Sequence, residues 1–203
     1  MGGNQVRRNK PRVLCLHGFR TSGEILKKMM GKWPHSVLNN FDFDFLDAPF
    51  PARGKSDVES LYDPPYYEWY QVNEGGMLAS VVPPMQREGA AFTSVPKIKF
   101  VIIISGFELR ELKSGPPKLL ANVYSVPIDC PSLHLIGDKD FLKERGFTLL
   151  RSFVNPLHIY HSMGHTVPKL DEKGLETMLK FIEKIKEMFP QELETGLGLK
   201  SAL

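Results

Sequence analysis

Apolar residues in this chain fall into short runs, separated by longer stretches with a three- to four-residue rhythm. Arg12-Val13-Leu14-Cys15-Leu16 is the first run; it stops at His17-Gly18-Phe19, and Ser22 then suits the N-cap of an amphipathic stretch reaching about Lys32. Phe41 to Leu46 alternates with period two and ends at Asp47-Ala48-Pro49, which predicts a second strand running into a turn. Phe100 to Ile104 is apolar at every position, as a strand covered on both faces of a parallel sheet would be. Ser132 to Ile136 and Leu157 to Tyr160 predict two further strands, with a helix from about Lys143 to Phe153 between them. Leu175, Met178, Leu179, Ile182, Ile185 and Met188 mark the clearest helix. Strands alternating with helices predict an α/β fold, a mostly parallel sheet with helices on both faces.

Two stretches interrupt that rhythm. Phe50 to Tyr70 carries Pro51, Pro64, Pro65, Arg53-Gly54 and the run Tyr66-Tyr67-Glu68-Trp69-Tyr70; a loop of this length in a domain is commonly a lid or a binding loop. Gly76 to about Glu88 is expected to be helical only in part, because Pro83-Pro84 would break or kink it. Residues 1–10 and 191–203 read as a basic disordered tail and a loose C-terminal tail around one domain at 11–190.

The composition, 203 residues with 42% hydrophobic and 24% charged, is that of one ordinary globular domain. The +3 formal charge is small, and Arg7, Arg8, Lys10 and Arg12 at the N-terminus more than account for it, so no nucleic-acid partner is implied. Cys15 and Cys130 are too few for a disulfide framework, and each adjoins an apolar run, where a reduced buried thiol is expected. No apolar segment approaches the roughly 20 residues that span a bilayer. These features point to a cytoplasmic protein, with a nuclear location also open, and leave its oligomeric state undetermined.

In a parallel sheet the chemistry gathers beyond the carboxyl ends of the strands, which here hold His17-Gly18-Phe19, Asp47, Ser105-Gly106, Asp140 and His165. His158, His161 and His165 sit at three- and four-residue spacings on a strand-to-turn segment and would not face one point, so no metal site is expected, and no cofactor-binding motif is present. His-Gly after the first strand, Gly-x-x-Asp after a late strand and Gly-His after the last strand follow the order of an α/β-hydrolase. Pro11 to Phe19, Asp47-Ala48-Pro49, Pro64 to Trp69, Ile104-Ser105-Gly106, Pro131 to Leu142 and Gly164 to Pro168 together resemble the FSH family of small serine hydrolases.

The resemblance implies a three-layer α/β-hydrolase-like sandwich and a carboxylesterase or thioesterase acting on a small or medium acyl ester. His165 would be the general base, and Asp140 would orient it and stabilise its charged form. Asp140 also suits a helix N-cap, and Asp138 is the alternative acid. Gly18 and Phe19 would form the oxyanion loop, while Asp47, Arg53, Tyr67 and Trp69 would line the acyl pocket.

One part of the family pattern is missing. The resemblance calls for a Gly-x-Ser-x-Gly turn after a central strand, yet Val72-Asn73-Glu74 follows the aromatic loop directly. Gly75-Gly76-Met77-Leu78-Ala79 resembles the rear of that elbow and the start of its helix. A helix, the central nucleophile-bearing strand and the serine turn, on the order of 25 to 35 residues, are therefore expected to be missing, as after a skipped exon or a mistaken gene model. The flanking strands would then have to re-pair or leave the fold unstable. Ser105 ends a suitable strand but lacks the elbow. Two readings follow: a serine hydrolase by ancestry, inactive or impaired in this chain, or a non-catalytic protein that binds a ligand or partner.

Overall fold

The computed structural model describes residues 10–69, 75–108 and 123–190. In chain order the elements are β1 (Arg12–Leu16), α1 (Gly23–Met30), α2 (His35–Leu38), β2 (Asp42–Leu46), β3 (Phe50–Pro51), β4 (Tyr67–Glu68), α3 (Gly75–Arg87), β5 (Val101–Ile104), β6 (Ser132–Gly137), α4 (Lys143–Arg151), β7 (Leu157–His161) and α5 (Glu172–Met188). The strands and helices read from the hydrophobic pattern are all present. Residues 1–9 and 191–203, expected as tails, and the junction residues Val72, Asn73 and Glu74 lie outside the described residues.

Local chemistry accounts for the helix boundaries. Ser22 adopts an extended backbone and its side chain accepts from the Ile25 N–H, which satisfies one of the orphan donors of α1. Asp171 does the same for α5 through the Gly174 N–H, at 2.7 Å.

α3 departs from expectation, because it runs unbroken through Pro83 and Pro84. The two missing N–H groups forfeit bonds to the carbonyls of Ala79 and Ser80, at an intrinsic cost of about 3 kcal/mol per proline. Packing overrides that local preference. Val81 and Met85 are buried against Val123, Pro84 is fully enclosed, and the Ser80 hydroxyl bonds the Met77 carbonyl and Tyr124 Oη. The helix lies against both β5 and β1.

The single sheet is also not what forms. Among the described residues β1 pairs in parallel with β2, while β5, β6 and β7 form a separate parallel ladder with β6 at its centre. β3 and β4 make a short antiparallel ribbon that closes the 50–69 loop into a strap. Among the described residues no pairing links β1 to β5, so of the two expected alternatives, re-pairing of these strands or an unstable fold, the first is not seen. Side chains join the two ladders instead. Cys15, Leu133, Leu135 and Ile159 share one core with Trp33, Val37, Met178, Phe181 and Ile182, and Phe43, Ile102 and Ile104 pack on its margin. On the opposite face Val101 and Ile103 meet Ile128, Leu149 of α4 and Phe153. Every residue of β6 is buried, whereas Leu14 on β1 is 57% exposed.

Candidate active site

The carboxyl end of β6 leads into a turn set by Gly137. A Cβ there would lie 2.5 and 2.6 Å from the Met163 and Gly164 carbonyl oxygens and 3.0 Å from His161 Cε1, so only glycine lets the 161–165 loop close down on the end of β6. The Asp138 N–H donates to the His161 carbonyl and the Lys139 N–H to the Met163 carbonyl, which fixes that closure. It brings His165 Nδ1 to 3.0 Å from each oxygen of Asp140.

Asp140 is the partner and Asp138 is not. Asp138 accepts from Lys143 Nζ and Tyr160 Oη at 2.8 Å each, and these bonds hold its carboxyl below the usual range at the surface. The Asp140 side chain is only 3% exposed, and Oδ1 also accepts from the Leu142 N–H at 2.8 Å. The turn-capping role and the histidine partnership are thus held by one side chain. A carboxylate only accepts, so His165 Nδ1 carries the proton and Nε2 is left as the basic nitrogen of the ring. The exposed Phe141 ring lies against the imidazole, centroids 5.1 Å apart.

A second group assembles at the ends of β1 and β2. His17 is completely buried, and its Nε2 accepts from the Ala48 N–H at 3.0 Å, which places the proton on Nδ1. Nδ1 and the Thr21 hydroxyl both reach the Gly18 carbonyl, at 2.8 and 3.0 Å. Burial lowers the pKa of His17, keeping the ring neutral in this role, against the opposing effects of the Gly18 bond and Asp47. In a trans peptide the carbonyl and the next N–H point in opposite directions. Anchoring the Gly18 oxygen inward therefore turns the Phe19 N–H away from His17, and that N–H donates to nothing among the described residues. Gly18 itself has open space where a Cβ would stand.

The strap locks this loop in place. Trp69 Nε1 donates to the His17 carbonyl at 2.8 Å, with its ring 5.2 Å from the imidazole, and the Tyr67 N–H donates to the Thr21 carbonyl at 2.7 Å. Arg20, held at a φ of 49°, donates to Glu68 Oε1 at 2.7 Å and to the Lys55 carbonyl, while its guanidinium lies over the Phe19 ring. Ser56 Oγ donates to the Arg20 carbonyl. Arg20, Thr21, Ser56 and Glu68 were not singled out from the sequence, where nothing distinguishes them from other polar residues of the loop.

The remaining expected site residues are dispersed. Asp47 Oδ1 accepts from the Gly23 N–H at 2.8 Å, at the start of α1. Arg53 is exposed on the strap, and Tyr67 and Trp69 are half-buried. Gly75 and Gly76 are the first two residues of α3. Ser105, at the end of β5, is buried with a φ of 51°, and its Oγ has no hydrogen-bond partner among the described residues.

The sequence model of the family described as Serine hydrolase (FSH1) matches residues 6–74 and 72–175. The chain belongs to this family. FSH relatives include an esterase of Anopheles gambiae, 26% identical over 198 aligned positions that take in 78% of this chain and 72% of the relative. An esterase of Drosophila melanogaster is 24% identical over 222 positions, covering 90% of this chain and 77% of the relative. Among solved structures, one from a study of two fungal esterases from Rhizomucor miehei superimposes with a TM-score of 0.51 at 12% identity, over 93% of this chain and 78% of that one. The FSH chain thus has an α/β-hydrolase-like fold, whose helix-flanked parallel ladders carry the Asp140–His165 pair.

Proposed function

We propose that this chain is an ester-binding member of the FSH family that retains the acid–base pair and the oxyanion loop but lacks the nucleophilic serine, and so is inactive or impaired as an esterase. The observation that carries the reading is that the family model matches in two separate segments, residues 6–74 and 72–175, which meet immediately before α3. The alignment lengths leave room for a missing segment. Ninety per cent of 203 residues is about 183, so about 39 of the 222 positions aligned with the Drosophila esterase have no residue in this chain. A helix, a strand and a turn fit within such a length. The edges of β1 and β5, which pair with no strand among the described residues, are what the loss of a strand between them would leave.

In a complete site, His165 Nε2 would take the serine proton as the hydroxyl attacked the ester carbonyl, then return it to the leaving alcohol or thiol. Asp140 would hold the imidazolium, and the Phe19 N–H would bind the developing oxyanion. Without the hydroxyl no acyl-enzyme forms, and what remains is a pocket for a small or medium acyl ester or thioester, with Asp47, Arg53, Tyr67 and Trp69 proposed along its walls. Ser105 is a competing nucleophile, because its hydroxyl has no partner among the described residues and its backbone is held in the left-handed region. Its N–H, however, is committed to the Leu135 carbonyl at 3.0 Å. The chain is expected to take no label from a fluorophosphonate probe and to leave a short p-nitrophenyl ester intact. Robust labelling that disappears in Ser105→Ala would overturn the reading.

A further inference from the structure

A lone apolar side chain at a protein surface is ordinary. What sets Phe141 apart is where its turn puts it. The side chain is 77% exposed and joins none of the three hydrophobic clusters formed by the described residues, so the core does not depend on it. It stands directly after Asp140. Asp140 Oδ1 accepts from the Leu142 N–H at 2.8 Å and the Asp140 carbonyl from the Lys143 N–H at 3.1 Å, so the backbone around Phe141 is tied down on both sides. The ring rests against the His165 imidazole, with centroids 5.1 Å apart and planes tilted by 34°. Lys143, the cation nearest in sequence on the helix side, is committed to Asp138 and to the face of Tyr160.

An ester in this site has its two halves drawn to different elements. On the reading proposed above, the carbonyl oxygen goes to the Phe19 N–H. The acyl group follows it towards Tyr67 and Trp69 of the strap, which is bonded to the 17–21 loop through the Tyr67 N–H and Trp69 Nε1. The departing oxygen belongs at the other end, because it must come within about 2.6 to 3.2 Å of His165 Nε2 to take its proton. Nε2 is part of the ring that Phe141 packs on, so the atoms just beyond that oxygen lie beside the phenyl group.

We infer that Phe141 is the platform for the leaving group, and that the matching ligands are esters or thioesters whose alcohol or thiol half carries an aromatic group. The inference rests on the reading of this chain as an ester-binding protein. An aromatic ring packed on Phe141 gains about two- to tenfold in affinity beyond the area it buries.

Benzyl acetate and methyl phenylacetate test this, being isomers that carry the same ring on opposite sides of the ester. In NMR titrations of the full chain, followed at the His165 imidazole and the Trp69 indole, benzyl acetate is expected to bind about two- to tenfold more tightly than its isomer. Phe141→Ala should abolish the preference and Phe141→Tyr should keep it. Phe92→Ala, which removes another exposed phenyl ring in the loop between α3 and β5, should leave it unchanged. Equal affinities in the parent chain, or a preference that survives Phe141→Ala, would refute the platform while leaving ester binding intact. A preference for methyl phenylacetate that Phe141→Ala removes would put the ring on the acyl side and also refute it. Binding of neither isomer is the separate result that removes the ester-binding reading itself, and the platform with it.

Discussion

Replacing Gly137 by alanine should separate His165 from Asp140. The new Cβ would stand 2.5 and 2.6 Å from two backbone oxygens, those of Met163 and Gly164, where an ordinary contact begins beyond 3.4 Å. Neither oxygen sits on a flexible side chain, so relief requires the whole 161–165 loop to lift. Overpacking of this kind costs about 1 to 3 kcal/mol, and rigid backbone on the far side puts Gly137 at the upper end. For a domain of this size about 3 kcal/mol lowers the melting temperature by about 6 to 12 °C. Thermal melting followed by circular dichroism reads that loss, and the NMR signal of the His165 Nδ1 proton reads the geometry, since a lifted loop lengthens its bonds to Asp140. Gly18→Ala is the control, because nothing lies within 4 Å of a Cβ at that position. A variant at Gly137 that melted within a degree of the parent and kept the Nδ1 proton signal would refute the argument that this glycine seats the histidine loop.

The fold should be acid-labile. Burial lowers the pKa of His17, His161 and His134, the last from 6.5 to about 3, so the unfolded chain binds protons that the folded chain refuses, and stability falls as pH drops from about 6.5 towards 3. His134 alone removes about 2 kcal/mol by pH 5, which urea melts at stepped pH would detect, and a flat profile between pH 7 and 5 would count against it. Arg20→Ala should cost about 1.5 to 3 kcal/mol, because it strands the buried Glu68 carboxylate, and Glu68→Gln in the same chain should recover part of the loss in a double-mutant cycle. Ser22→Ala should cost about 1 kcal/mol through the lost α1 cap, measured by denaturant titration. Pro83→Ala should raise the denaturation midpoint, since it returns an N–H to the middle of α3.

The alternating and continuous apolar runs were enough to locate β1, β2, β5, β6 and β7, because each buries side chains on a sheet face. The Asp140–His165 pair was legible for a similar reason, since Gly137 and Gly164 mark turns that need close backbone approach. α3 was misjudged because the cost of two prolines is local, whereas the burial of Val81, Pro84 and Met85 that outweighs it comes from distant chain. The place where the sheet divides was legible as a missing central strand between β1 and β5, but not that the flanking strands would stay apart, because that depends on side-chain packing across the core. The latch of Arg20, Glu68 and Ser56 was hidden too, because its partners lie 36 to 48 residues apart in sequence.

Because the sheet is divided, each parallel ladder joins only strands that follow one another along the chain, β1 to β2, β5 to β6 and β6 to β7. Loop-closure entropy is thereby met in short steps, and the most distant connections are left to side chains such as Trp33, whose Nε1 donates to the Pro168 carbonyl 135 residues away. Folding should accordingly proceed by early formation of two units, one ending near the strap and one beginning at β5, with their docking across the shared core as the slow step. The Asp140–His165 pair belongs wholly to the second unit and the His17–Phe19 loop wholly to the first, so the proposed site comes into being only at that last event.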